Sequence, residues 1–216
     1  MIRHPSPNAG PRRDGLRPEL VVLHFTEMAS AEAALQRLCD PAAEVSAHYL
    51  IARDGRLWQM VDEGARAWHA GAGAWRGRDD VNSRSIGIEL DNDGRSPFPH
   101  PLMARLETLL PGILSRWSIP ARGVIAHSDM APQRKSDPGP RFDWRRLARQ
   151  GLAIWPETAG DADAPLAASL DRIGYPPAPA DLRLRAFRLR FRPGHAGPED
   201  GRDRALADAL ARLSDD

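Results

Sequence analysis

The chain has 216 residues, 42% hydrophobic and 27% charged, which suits a folded globular protein with one large domain or a domain plus a small module. Thirty basic and 29 acidic residues nearly cancel, to +1, and argue against a broad nucleic-acid-binding surface. A single cysteine, Cys39, excludes an intrachain disulfide scaffold and a site built on several thiolates, and no apolar run approaches the ~18 residues of a membrane span.

Residues 1–18 are polar and proline-rich and read as an irregular lead-in. They lack the apolar stretch of a secretory signal, which predicts a cytoplasmic protein, or a periplasmic one whose leader has been removed. Residues 19–24 (ELVVLH) form an apolar run ending in a histidine, the pattern of a buried strand. Ser30 can cap a short helix through Cys39, with Glu32 in its first turn and Asp40-Pro41 as the stop. Residues 48–61 predict a hairpin around a two-residue Asp54-Gly55 turn. Residues 64–84, rich in Gly, Ala, Trp and Arg, read as a long functional loop. The strand SIGIEL (85–90) follows, and Gly87 within it predicts a close backbone approach.

Leu102, Leu106, Leu109, Ile113 and Trp117 fall on one helical face, with Pro111 expected to kink or divide the helix. Residues 123–126 make a short strand running into His127. The next stretch, HSDMAPQRKSDPGPRFDW, holds too much proline and glycine for regular structure, and a helix begins near Arg145. Residues 156–165 read as a linker, and residues 166–216 as a small module of three helices in which Phe187 and Phe191 belong to the core.

His24 and His127 close two predicted strands, and Asp137 lies ten residues after the second in a proline-stiffened loop. Two imidazoles and a carboxylate with a fourth position open make a catalytic zinc set. Glu89 sits in a strand otherwise apolar enough to be buried. Either it points outward from a half-exposed strand, or desolvation tunes it toward a general base. Lys135 is the only lysine of the chain and stands two residues before Asp137, where an ammonium can stabilise an oxyanion. These groups fit metal-assisted hydrolysis. Among the other histidines, His48 lies in a strand pattern as a core or supporting residue, and His69 suits a groove better than a ligand position.

The segments VVLHFT, VSAHYLIARDG, RAWHAG, NSRSIGIEL and AHSDMAPQRKSDPGPRFDW occur in that order over roughly residues 20–150. Together they resemble the zinc-dependent N-acetylmuramoyl-L-alanine amidases of the AmpD and AmiD type, a fold shared with peptidoglycan recognition proteins. The resemblance implies an α/β fold, with a mixed central β-sheet flanked by helices, over a catalytic domain at 1–155. It implies hydrolysis of the amide joining N-acetylmuramic acid, or its anhydro form, to the stem-peptide L-alanine, in peptidoglycan or muropeptides. It also implies Zn2+ on His24, His127 and Asp137, catalysis by Glu89 and Lys135, and substrate contacts from Arg66, Trp68 and His69. Where some members carry an arginine this chain has Asp80, which leaves that contact missing or passed to Arg78. The last fifty or so residues resemble the helical peptidoglycan-binding-like domain of the AmiD-type branch. A non-catalytic wall-binding protein on the same fold is the alternative function; such proteins typically lack part of the ligand set, which is complete here.

Overall fold

The computed structural model describes residues 1–215; Asp216, the end of the expected C-terminal module, lies outside the described residues. In chain order the elements are β1 (Ile2–Arg3), β2 (Ala9–Gly10), β3 (Leu20–Phe25), α1 (Ala31–Cys39), β4 (Tyr49–Ile51), β5 (Leu57–Gln59) and β6 (Arg66–Ala67). Then follow α2 (Val81–Arg84), β7 (Ser85–Leu90), α3 (His100–Trp117), β8 (Val124–Ala126), α4 (His127–Met130) and α5 (Trp144–Ala148). Three helices close the chain: α6 (Leu166–Ile173), α7 (Ala180–Phe191) and α8 (Gly201–Asp215).

Six strands form one mixed sheet in the order β1-β5-β4-β7-β3-β8. Strand β3 runs parallel to both β7 and β8, β4 runs parallel to β7, and β5 returns antiparallel to β4. Side chains alternate along each strand, so register decides which residues share a face. One face carries Val21, Leu23, Ile86, Ile88, Leu90, Tyr49, Ile51 and Val124, and packs on α3. The other face is covered twice. Helix α1 packs on Leu50, Ala52 and Trp58, while α6, α7 and α8 pack on Leu20, Val22 and Ile125.

Several local expectations are corrected. The lead-in is not wholly irregular: β1 extends the sheet parallel to β5, and β2 pairs with β6. The hairpin turns through three residues, because Ala52 N–H donates to the Arg56 carbonyl at 2.9 Å and Gly55 takes a φ of 87° between them. The 64–84 region contains β6 and α2 as well as loop. Pro111 does not divide α3; it stands on the exposed side, where the carbonyl it leaves unpaired can meet water. The Ser30 cap holds: its hydroxyl accepts from Ala33 N–H at 3.2 Å.

Segment 156–165 lies along α8, with Gly160 N–H donating to the Ala205 carbonyl at 2.9 Å and Asp161 N–H donating to Asp208 at 2.9 Å. Among the described residues, no helix is long and apolar enough to cross a membrane.

Candidate active site

Strand alternation assembles the site. His24 and Glu89 are register partners on adjacent parallel strands and therefore face the same way. Ile125 shares that face, through its pairing with Val22. His127, two residues further, follows it at the start of α4. The site thus opens at the carboxyl ends of β3, β7 and β8, in the gap between the α1 packing and the C-terminal helices.

Three ligand atoms converge there. His24 Nδ1 lies 2.9 Å from His127 Nδ1 and 2.9 Å from Asp137 Oδ2, and His127 Nδ1 lies 3.0 Å from the same oxygen. A triangle of that size has a circumradius of about 1.7 Å, so a point ~2.0–2.1 Å from all three atoms exists, the distance a zinc ion requires. His127 Nε2–H donates to the Ala70 carbonyl at 2.9 Å, which leaves Nδ1 as a bare lone pair facing the other two donors. Three inward-facing donors, one of them a carboxylate oxygen, fit a divalent cation. Ser128 N–H donates to the Asp137 carbonyl at 3.0 Å and ties the two ligand segments together.

Electrostatics agree. Burial, then the neighbouring His127, push the His24 pKa down to about 4, toward the neutral form a metal needs. Burial alone would raise the Asp137 carboxyl, but the adjoining His127 and His24 imidazoles outweigh that and hold it far below the ordinary range. Burial, then the Asp137 charge, raise Glu89 well above its ordinary value, with Lys135 opposing. Glu89 Oε2 is buried without a hydrogen-bond partner. Burial, followed by His24 and His48, holds His69 well below the usual histidine value and keeps the ring neutral.

The groove over these atoms encloses about 330 Å³ and is lined by Trp68, His69, Glu89 and Lys135 as well as the three ligand candidates. Arg66 is not brought into it. Its guanidinium is held by Asp80 at 3.0 Å and by Ser83 Oγ at 3.1 Å, outside the groove lining. Nor does Arg78 stand in there, since it pairs with Glu19 at 2.9 Å. The groove instead carries Arg37, from the exposed side of α1, and Arg134, beside Lys135. Sequence reading passed over both. Adjacency in the Arg134-Lys135 pair was a usable signal for the second; nothing in the pattern marked the first.

A second cluster, His195, Asp200 and Asp203, also has atoms close enough to share a cation. Its carboxylates are already occupied by Arg192 and Arg188, at 2.6 and 2.5 Å, which makes it an ion-pair knot.

Residues 14–140 match the family described as N-acetylmuramoyl-L-alanine amidase. The N-acetylmuramoyl-L-alanine amidase AmiD of Escherichia coli (strain K12) is 37% identical, over 90% of this chain and 82% of that protein. The 1,6-anhydro-N-acetylmuramyl-L-alanine amidase AmpD of Enterobacter cloacae is 36% identical, over 67% of this chain and 87% of that one. The solved structure of Escherichia coli AmiD with the substrate anhydro-N-acetylmuramic acid-L-Ala-D-gamma-Glu-L-Lys superposes with a TM-score of 0.82. That pair is 34% identical and covers 97% of this chain and 93% of the other. AmpDh3 from Pseudomonas aeruginosa gives a TM-score of 0.84 at 30% identity, covering 93% and 94%.

Proposed function

The chain belongs to the N-acetylmuramoyl-L-alanine amidase family, and from that membership we propose that it cleaves the amide between N-acetylmuramic acid, or its anhydro form, and the L-alanine of the stem peptide in peptidoglycan fragments. The observation that carries the reading is the triangle of His24, His127 and Asp137 with Glu89 one strand away.

The proposed metal is zinc, for which two imidazole nitrogens and a carboxylate oxygen are a catalytic donor set. Bound there, zinc supplies Lewis acidity, lowering the pKa of water toward about 7 and polarising the scissile carbonyl. Glu89 takes the proton of the attacking water and returns it to the departing L-alanine nitrogen. Its raised pKa brings the carboxylate closer to the strength such a base needs. Lys135, in the same groove, offers a cation to the developing oxyanion, a contribution of about 2.7–4 kcal/mol for a well-placed donor. Trp68 lines the groove as a substrate wall, and Arg37 and Arg134 add positive charge that suits an anionic stem peptide. The same reading divides the chain into a catalytic unit at 1–155, a connection at 156–165 and a helical peptidoglycan-binding-like unit at 166–216.

The test is product analysis by mass spectrometry. Amidase action frees an intact peptide from the sugar, a chelator abolishes the release, and added zinc restores it. Binding of muropeptide without release would instead establish a recognition protein. Soluble anhydro-muropeptides and intact sacculi, run side by side, separate cytoplasmic recycling from action on the polymer in the envelope.

A further inference from the structure

The hydrogen bonds around His69 have one self-consistent direction. The Val81 carbonyl can only accept, so Ser85 Oγ–H donates to it, at 2.5 Å. Ser85 Oγ is then left to accept, from His69 Nε2–H at 3.2 Å. A neutral imidazole carries one proton, so His69 Nδ1 is bare and accepts from His24 Nε2–H at 3.0 Å. His24 must therefore turn a bare Nδ1 toward His127 and Asp137.

We propose that His69, anchored by Ser85, is a positioning residue that fixes the tautomer and ring angle of His24, and not a substrate contact. The proposal rests on the metal reading above. Two further observations support it. Gly87 lies on the same sheet face between Ser85 and Glu89, and a Cβ there would stand 2.4 Å from His69 Cγ, so the ring is seated where the strand has no side chain. Asn82 Oδ1 accepts from His69 N–H at 3.0 Å and from Ala70 N–H at 2.8 Å. One clamped dipeptide thus supports both imidazoles, His24 through the His69 ring and His127 through the Ala70 carbonyl.

The experiment measures zinc affinity by chelator competition, with the visible spectrum of the cobalt-substituted protein and thermal unfolding of the metal-free protein alongside. His69→Ala is expected to weaken zinc binding about 10–100-fold and alter the cobalt spectrum. His69→Asn, whose Oδ1 can occupy the acceptor position of Nδ1, is expected to recover most of the loss. His69→Gln, whose amide reaches instead toward Ser85, is expected to recover less. Wild-type zinc affinity and cobalt spectrum in a folded His69→Ala variant, with only KM raised, would overturn the proposal and restore the substrate role. An Asn variant no better than Ala would overturn it too. A wild-type chain that takes up no zinc removes the metal reading itself, whereas zinc uptake indifferent to His69 removes this inference alone.

Discussion

Glu89 Oε2 is buried and unpartnered, on a strand whose opposite face carries the apolar Ile86, Ile88 and Leu90. Burying such a carboxylate without a partner costs stability, a cost that a catalytic role would explain. Glu89→Gln keeps the shape and removes the base. It is expected to retain zinc while kcat falls about 10²–10⁴-fold, read from metal content and turnover together. The residues proposed to carry the chemistry were legible because each stands where sequence pattern and cost disagree: histidines closing apolar strands, an acid inside one, an aspartate in a rigid loop. Arg66 and His69 were not legible in the same way. Arg66 is neutralised by Asp80, a pairing that depends on how β6 and α2 meet. The role proposed for His69 depends on a missing side chain at Gly87 and a hydroxyl at Ser85, both brought beneath it only by sheet register.

Glu63, just after the hairpin, makes a polar contact with α3. Tyr49 Oη–H, Arg116 Nη2–H and Trp117 Nε1–H all donate to its carboxylate, each at 2.6 Å. Burial alone would raise this carboxyl, but Arg116, Tyr49 and Trp117 outweigh that and hold it below the ordinary value. A depressed folded-state pKa adds stability above the unfolded value of about 4.3, and that stability is lost as pH falls through the folded value. The Tm gap between the wild type and Glu63→Gln is therefore expected to be present at neutral pH and to narrow below about pH 4. A gap that stayed constant into acid would assign the contact to packing alone. Element boundaries in this region followed from sequence where a side chain acts on its own backbone, as at the Ser30 cap. They slipped where the deciding partner is remote. The two-residue β1 exists only because β5 presents an open edge, and α3 continues past Pro111 because its other face is buried on the sheet.

Across the molecule, the C-terminal helices reach back to the segment that carries the candidate ligand His127. Asp129, fully buried in α4, accepts from Tyr175 Oη–H at 2.7 Å, from Arg190 Nη1–H at 2.8 Å and from Ala126 N–H at 2.9 Å. Arg190 also stacks on Trp144, 3.9 Å from the ring centre. These bonds fix α4 two residues beyond His127, so helices read from sequence as a separate module help to hold the segment that carries this candidate ligand. Arg190→Met would strand the Asp129 charge and is expected to lower stability by about 3–5 kcal/mol in urea unfolding; Tyr175→Phe is expected to cost about 1–3 kcal/mol. The same whole-chain view gives Lys135 a second significance. It is the only lysine in the sequence and it lines the groove. Reagents that acylate primary amines, used routinely to attach dyes or couple enzymes to resins, would have one side chain to modify here, and it lines the groove of the proposed active site. Labelling and inactivation are expected to advance together, and a substrate analogue that fills the cleft should slow both.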